Sequence, residues 1–556
     1  MDRLPPEVLR LIINCLPPKD LASLQLVSRS LFSIARDNSV WRERCYRVQK
    51  ERYGQIQKRL AHIAAGMQLG SWRDPLFEDT STGTVMRWDP SDPEEEIDWY
   101  AEYIARYGPS GVVWFQSPAV EDLVGRDRPL DVNGVGILKD RSYGSGDQVI
   151  GFLENGSVSI WDASQRNGKF ARSSRPLPLA PAPLPREKPK HRRHEGIIER
   201  ISVDSISQRA YIADNNALNE VDLSTLQLIS QSTFTESIYA LSQEAPDYYA
   251  PITVATRNSL RVYDPRLQST YQERDTFISL EPRSSSNLTP GYPVTVNYTE
   301  LLDPGPNFVL HPPSPSTDSI VVAGRFPSIL LYDRRNLGRL QASVHSGARL
   351  CGLAALSSIP KCYRSPDSST SLQSIVACGE HKGMGSLELY SLLPSPDADG
   401  TSAPALRSLY KNRLINSHSK LLSVATHGSR VVFSDSEGKI KWMERDGKTV
   451  IRTVSLHAKP GGAGSNEQES INTPMEQGWG YDANCHVARK IIPASGSSLD
   501  QDGLVIWTGS QVGRLHFSHA NEEDVAEEAS EQDADMSRHE REAWRTFRQS
   551  MFMGWI

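Results

Sequence analysis

The sequence predicts a multidomain chain: a small all-α module and a helical spacer, followed by an all-β propeller of about seven blades. Three observations carry this. Two apolar helical patterns surround paired prolines in residues 4–32, the pattern changes to short strands from about residue 134, and one strand–turn–strand unit then recurs as far as residue 517.

Composition sets the frame. The 556 residues are 38% apolar and 23% charged with a net charge of −6, as expected for an ordinary soluble chain of two or more domains. The amino terminus lacks the charged-then-apolar order of a secretory leader, and no apolar run approaches the roughly 18 residues of a membrane helix. No membrane contact is expected, and the expected location is cytoplasmic and/or nuclear. The cysteines (Cys15, Cys45, Cys351, Cys362, Cys378, Cys485) form no CxxC pair. Neither a zinc site nor a disulfide framework is expected, and the thiols should be reduced and mostly buried.

The helical module comes first. Val8, Leu9, Ile12, Ile13 and Leu16 recur at helical spacing between Pro5-Pro6, which suit a first turn, and Pro17-Pro18, which stop the helix. Asp20 is placed to cap a second helix with a stripe of Leu21, Leu24, Val27, Leu31 and Ile34. Asp37 or Asn38 starts a third helix with Trp41, Cys45 and Val48 inside. Leu4, Leu11 and Leu26 lie off these stripes. A unit of about 45 residues buries too little surface to be comfortable alone, so something else must cover them.

The order Leu4-Pro5-x-Glu7-Val8-Leu9, Ile12, Leu16-Pro17, Asp20-Leu21, Leu24, Val27-Ser28, Leu31 and Trp41 resembles the F-box, by which substrate receptors grip the Skp adaptor of cullin–RING ubiquitin ligases. Residues 1–46 span that resemblance. It implies that Leu4, Pro5, Ile12, Leu16, Leu21, Leu24 and Val27 form the adaptor-binding and core surface, without separating those that face the adaptor from those that face inward.

Residues 47–116 are expected to be a helical spacer. A polar-faced helix continues over 38–65 with Ile56, Leu60 and Ile63, and EEEIDWYAEYIARY, residues 94–107, reads as another helix with Trp99, Tyr103 and Tyr107 on one side. Trp99, Tyr103 and Arg106 resemble, weakly, the tryptophan-tyrosine-arginine helix that often follows the F-box in receptors carrying WD-type repeats.

Over residues 117–520 a strand, a tight turn and a second strand ending in an aromatic and an acid recur. Clear copies are DQVIGFLENGSVSIWD, PITVATRNSLRVYD, DSIVVAGRFPSILLYD and SRVVFSDSEGKIKWME, with three weaker ones. The second strands close on Trp161, Val221, Tyr263, Tyr332, Tyr390, Met443 and Phe517. Each small antiparallel sheet has two apolar faces that only a neighbouring blade can bury, so the blades must stack in a ring. The units resemble WD repeats, although the tryptophan-aspartate pair is literal only at Trp161-Asp162 and the spacing is long. That resemblance implies hydrogen-bonded structural roles inside the blades for His194, His345 and His418, in preference to metal binding.

The excess length lies in proline-, serine- and glycine-rich insertions at 165–193, 282–317, 361–371, 393–407 and 457–479, read as disordered loops. The first is strongly basic. Residues 521–556 comprise a strongly acidic tail and an aromatic end, HEREAWRTFRQSMFMGWI, expected to dock on the rest of the chain or on a partner. Nucleic-acid binding is not expected.

The sequence holds no GxSxG elbow, phosphate loop, HExxH or paired metal spacing, so no catalytic residue, metal or cofactor is predicted. The resemblance implies a non-catalytic substrate receptor that binds the Skp adaptor and, through it, a cullin–RING ligase, while the propeller holds a protein substrate. Arg257, Arg325 and His381 fall in turns that would line one rim, where arginine can read an acidic or phosphorylated segment. Two alternatives stand beside this: an adaptor-bound scaffold that does not target degradation, and a receptor for the cullin-4 type of ligase, suggested by Tyr263-Asp264-Pro265-Arg266 and Tyr332-Asp333-Arg334-Arg335.

Overall fold

The computed structural model describes residues 6–51, 95–121, 127–139, 146–163, 170–178, 200–263, 298–301, 303–356, 358–363, 373–393, 405–413, 419–456, 486–494 and 503–517. Leu4, Pro5, His194, His418, the loop 457–479 and the tail 521–556 lie outside the described residues, as does the predicted helix beyond residue 51.

The amino-terminal module has four helices where the stripes predicted three: α1 (Pro6–Cys15), α2 (Pro18–Leu24), α3 (Arg29–Ala35) and α4, residues 38–51. Pro17 and Pro18 separate α1 from α2, and the last carbonyls of α1 are capped from α4. There Arg44 Nη2 donates to Ile13 O at 3.1 Å and to Leu16 O at 2.6 Å. The stripe from Leu21 to Ile34 breaks after Leu24 because Ser28 starts a new helix, its Oγ accepting from Leu31 N at 3.2 Å. Leu21 and Leu31 stay inside while Val27, in the intervening turn, faces outward.

Seven four-stranded antiparallel sheets follow, spanning 132–173, 201–233, 238–300, 306–345, 349–412, 421–455 and 490–517. They are blades one to seven of a propeller. The residues on which the repeats close, Trp161, Val221, Tyr263, Tyr332, Tyr390, Met443 and Phe517, lie in the later half of each blade's third strand or directly after it, and all are buried. Neighbouring blades share their apolar faces, as the repeat argument requires: Ile150 and Ile160 of blade one pack with Ile201 and Ile212 of blade two. No described helix is long and apolar enough to cross a membrane.

Three expectations are corrected. Blade seven takes its outer strand from Ser110–Trp114, which pairs antiparallel with Val512–Phe517 from Ser110↔Phe517 to Trp114↔Gly513. The propeller therefore begins at residue 110, inside the expected spacer. The insertions 165–193 and 282–317 also contain strands: Phe170–Ser173 and Tyr298–Glu300 are outer strands of blades one and three, and Pro306–Leu310 is the inner strand of blade four. Outer strands are held by backbone pairing on one edge and face water, so they need few apolar residues and carry little sequence signal. In the shorter insertions, Lys361–Tyr363 forms a 3-10 helix, and strands run to Leu393 and resume at Ala405.

Thirdly, the second spacer helix, α5 (Trp99–Tyr107), is not a separate rod. Its Trp99, Tyr100 and Ile104 share one core with Ile13, Leu21, Trp41 and Cys45 of the helical module and with Trp442, Ile451, Leu504 and Phe517 of blades six and seven. Because successive strands alternate in direction, first-to-second and third-to-fourth connections emerge on one rim of the ring, and second-to-third turns with the blade-to-blade linkers on the other. The helix α5 docks on the first of these, the helix rim; the second is the open rim.

Candidate functional site

The helix α5 is cut out by its ends: Asp98 Oδ1 accepts from Tyr100 N at 3.0 Å and Ala101 N at 3.2 Å, and the helix stops at Gly108. One side clamps the helical module. Asn38 Nδ2 donates to Ile97 O at 2.7 Å and its Oδ1 accepts from Trp99 N at 2.6 Å, while Trp41 meets Tyr100 and Tyr103 with ring centroids 4.8 and 5.0 Å apart.

The opposite side carries charge into the propeller. Arg106, fully buried, donates Nε to Glu102 Oε1 at 2.6 Å, Nη1 to Glu444 Oε1 at 2.6 Å and Nη2 to Ser429 Oγ at 3.0 Å. Arg430 Nε stands 3.1 Å from Glu102 Oε1. Burial pushes the Glu102 carboxyl up, but Arg430 and Arg106 outweigh it and hold the group below the usual carboxylate range. Burial wins at Glu444, which faces one guanidinium rather than two and is raised. Burial alone would lower Arg106; Glu444 and Glu102 keep it well above its ordinary value. The approach is tight: Gly428 has φ +58°, and a Cβ there would lie 3.2 Å from Glu102 Oε2. Arg445 adds a two-pronged bond to Glu95, 2.6 Å on each arm, and Arg452 reaches Gly108 O and Ser110 Oγ at 2.5 and 2.7 Å. Of the tryptophan-tyrosine-arginine set, Trp99 and Arg106 are buried and Tyr103 is partly so.

With that anchor, the helical module presents an apolar surface. Among the expected adaptor-binding residues, Leu21 is fully buried, Leu16 and Leu24 are partly buried against the shared core, Ile12 is half-buried and Val27 is 68% exposed. Val27 is joined on the outside by Val8, Leu11, Leu26 and Phe32, with Leu26 89% and Leu11 68% exposed. Leu11 and Leu26 are the residues that lay off the helical stripes. Their place off the stripes is the sequence signal of that exposure, and they lie outside the expected adaptor-binding set.

The open rim gathers the second set. Arg257 and Arg325 lie in the second-to-third turns of blades three and four, both exposed, and their backbones are stitched together: Gly305 N donates to Arg257 O at 2.8 Å and Arg325 N to Gly305 O at 2.9 Å. Gly305 has φ +91°, and a Cβ there would press on the Arg325 side chain at 3.2 Å. His381 stands on blade five, one blade further round. Its ring is committed: Nδ1 donates to Gly347 O at 3.0 Å, and Nε2 accepts from Arg413 Nη1 at 3.3 Å. Arg413 continues to Glu388 Oε1 at 2.9 Å. Burial lifts the Glu388 carboxyl, but hydrogen bonds from Ser346, Tyr390, Ser386 and Arg413 bring it below the usual range. His381 thus belongs to the blade's own hydrogen bonding, leaving Arg257 and Arg325 as the outward-facing pair. His345, expected inside a blade, is instead exposed on this rim, because the network holding the inter-blade linker runs through Ser346, Glu388 and Arg413.

Of the aspartate-x-arginine strand ends, Asp264–Arg266 lie outside the described residues. In the other, Arg335 lies 3.3 Å from Asp318 and Arg334 sits 5.6 Å from the Tyr248 ring centroid, so both contact their own propeller.

Comparison with known families matches residues 1–47 to the F-box-like family. No curated protein matches the chain. The molecule therefore joins an F-box-like domain to a seven-bladed propeller.

Proposed function

We propose that this chain, an F-box-like domain set on a propeller, is the substrate-recognition subunit of an Skp–cullin–F-box ubiquitin ligase. One observation carries the reading: the F-box-like domain leaves Leu11, Leu26 and Val27 in water while its other face is shared with the propeller core. An apolar surface of that kind calls for a partner, and the F-box family's partner is the Skp adaptor. Leu4 and Pro5 belong to the same proposed surface, with Ile12, Leu16 and Leu24 beneath it and Leu21 supporting it from the core.

The mechanism is positioning. The chain contributes no reacting group; it holds a protein substrate against the charged conjugating enzyme delivered by the cullin arm, and the gain is one of proximity and orientation. The buried network of Arg106 with Glu102 and Glu444 suits that task, because a hinge between the two ends would forfeit orientation. Arg257 and Arg325 are the proposed contacts for an acidic or phosphorylated segment of the substrate. The place of action is the cytoplasm and/or nucleus.

The test is capture of full-length protein from cells, scored for adaptor and for cullin type, beside Leu4→Ala/Pro5→Ala and Leu11→Asp/Leu26→Asp. Adaptor and the Skp-linked cullin with the wild type, and neither with either variant, is the expected result. Adaptor without cullin would favour a scaffold role; the cullin-4 type retained by both variants would overturn the reading.

A further inference from the structure

Cys351 and Cys378 belong to neither surface described above, yet the fold makes a pair of them. The inner strand of blade five (Arg349–Leu356) meets its second strand (Gln373–His381) in the register Leu350↔Gly379 and Gly352↔Cys378, so Cys351 is the extra residue of a β-bulge. A bulge sets two residues against one, and Cys351 and Gly352 together face Cys378. Both thiols enter the apolar core shared by blades five and six. Each cysteine is followed by a glycine, and the strands press together there: a Cβ at Gly352 would lie 2.9 Å from Cys378 Sγ, and one at Gly379 would strike the Arg349 carbonyl.

The two thiols are hydrogen-bonded to each other. Cys351 Sγ also donates to the carbonyl of Leu421, the first residue of blade six's inner strand, at 2.9 Å. That bond fastens the seam between the blades at its open-rim end, where Arg349 and Lys420 are exposed. The pair is unsymmetrical. The bond from Cys378, with Lys420 adding to it, lowers the Cys351 thiol against burial, whereas burial and the same bond raise Cys378. Cys351 also keeps 6% exposure where Cys378 has none, so the better nucleophile is the sulfur that a small oxidant reaches from the rim. A thiolate backed by a second thiol is the arrangement that resolves oxidation into a disulfide before it goes further.

We propose that Cys351 and Cys378 form a peroxide-sensitive disulfide switch that loosens the seam between blades five and six. The Cys351 thiolate attacks one oxygen of hydrogen peroxide: an S–O bond forms, the O–O bond breaks and hydroxide leaves. The Cys378 sulfur then attacks the sulfenic sulfur; the S–S bond forms, the S–O bond breaks, and the departing hydroxide carries off the Cys378 proton as water. The sulfurs lose the two electrons that the peroxide gains. A disulfide has no S–H, so Leu421 O loses its donor and the seam its fastening. In a reducing compartment the bridge is transient, since exchange with a small thiol restores both S–H groups. The switch needs neither the F-box-like surface nor the rim arginines, so it stands or falls apart from the adaptor reading.

The experiment is a non-reducing tryptic map of full-length protein treated with hydrogen peroxide and then alkylated. Peptides 350–361 and 365–382 should appear joined, lighter by two hydrogens, and dithiothreitol should release them. Hydrogen exchange over 421–426 should be about fivefold faster in the oxidised protein and return on reduction. Cys362→Ser, at an exposed position, should leave the bridge unchanged, and Cys378→Ser should stop at a sulfenic acid that dimedone captures. If the second variant does not fold, the wild-type map and exchange decide. Both thiols still reduced at a dose that oxidises the exposed Cys15 and Cys362, a bridge to another cysteine, or unchanged exchange would each overturn the proposal.

Discussion

The two rims of the propeller use the same residue types to opposite ends. On the helix rim, Arg106, Arg430, Glu102 and Glu444 are sunk beneath α5. On the open rim, Arg257 and Arg325 stand in solvent on adjacent turns. A guanidinium removed from water must be paired with opposite charge, and then it locks geometry; one at the surface contributes little to the fold. Burial decides which role an arginine takes.

Several changes would break or sharpen this contrast. Arg106→Ala should have the largest effect, about 3–5 kcal/mol of lost stability in chemical denaturation, because Glu444 would remain buried without its cation and Glu102 would keep only Arg430. A loss under about 1 kcal/mol would mean that the network is not what fixes α5.

Next comes acid sensitivity from another buried group on the same rim. His311 follows the inner strand of blade four, with Nε2 2.9 Å from Thr253 Oγ1. Burial, helped by Arg334, lowers its pKa to about 4. The unfolded chain takes up the proton near pH 6.5 and the folded chain only near 4, so stability should fall by about 3 kcal/mol as pH drops through that window. His311→Gln should flatten the profile between those limits; an unchanged slope would remove His311 as its source.

Leu11→Asp/Leu26→Asp should weaken adaptor binding by about a hundredfold in a titration calorimeter. Both side chains are exposed, so the unfolding midpoint should hardly move. Glu95→Ala, which removes a partly buried two-pronged partner of Arg445, should cost about 1–2 kcal/mol. Smallest of all, Arg257→Glu/Arg325→Glu should alter stability by no more than about 0.5 kcal/mol while abolishing capture of an acidic substrate. Intact substrate turnover in that variant would move the recognition surface elsewhere.

Much of this architecture was legible in the sequence, and the reason differs by element. Second and third strands are buried on both faces, so Trp161, Val221, Tyr332 and Met443 announce their blades as apolar runs with a closing apolar residue. Phe170–Ser173 and Tyr298–Glu300 are held by backbone pairing, which no side chain records, so their sequence reads as loop. Ser110–Trp114 pairs with residues about 400 positions later, a register that local periodicity cannot reveal. At the site, the stripes identified Leu21 as important but not as inward, because the break at Ser28 turns Val27 away from its helical neighbours. Arg106 was visible as part of a weak motif, whereas its partner Glu444 lies beyond any local pattern.

The strand that seals blade seven carries a consequence for how the molecule is made. Residues 110–114 leave the ribosome early, yet the strand they pair with, Val512–Phe517, is nearly the last segment of the propeller to be synthesised. The ring therefore cannot latch before the final blade is made, and its first-made edge waits with unpaired backbone until that blade arrives. A nascent chain arrested anywhere before residue 512 would carry the helical module on an unsealed ring, and emergence of the seventh blade is itself the closing event.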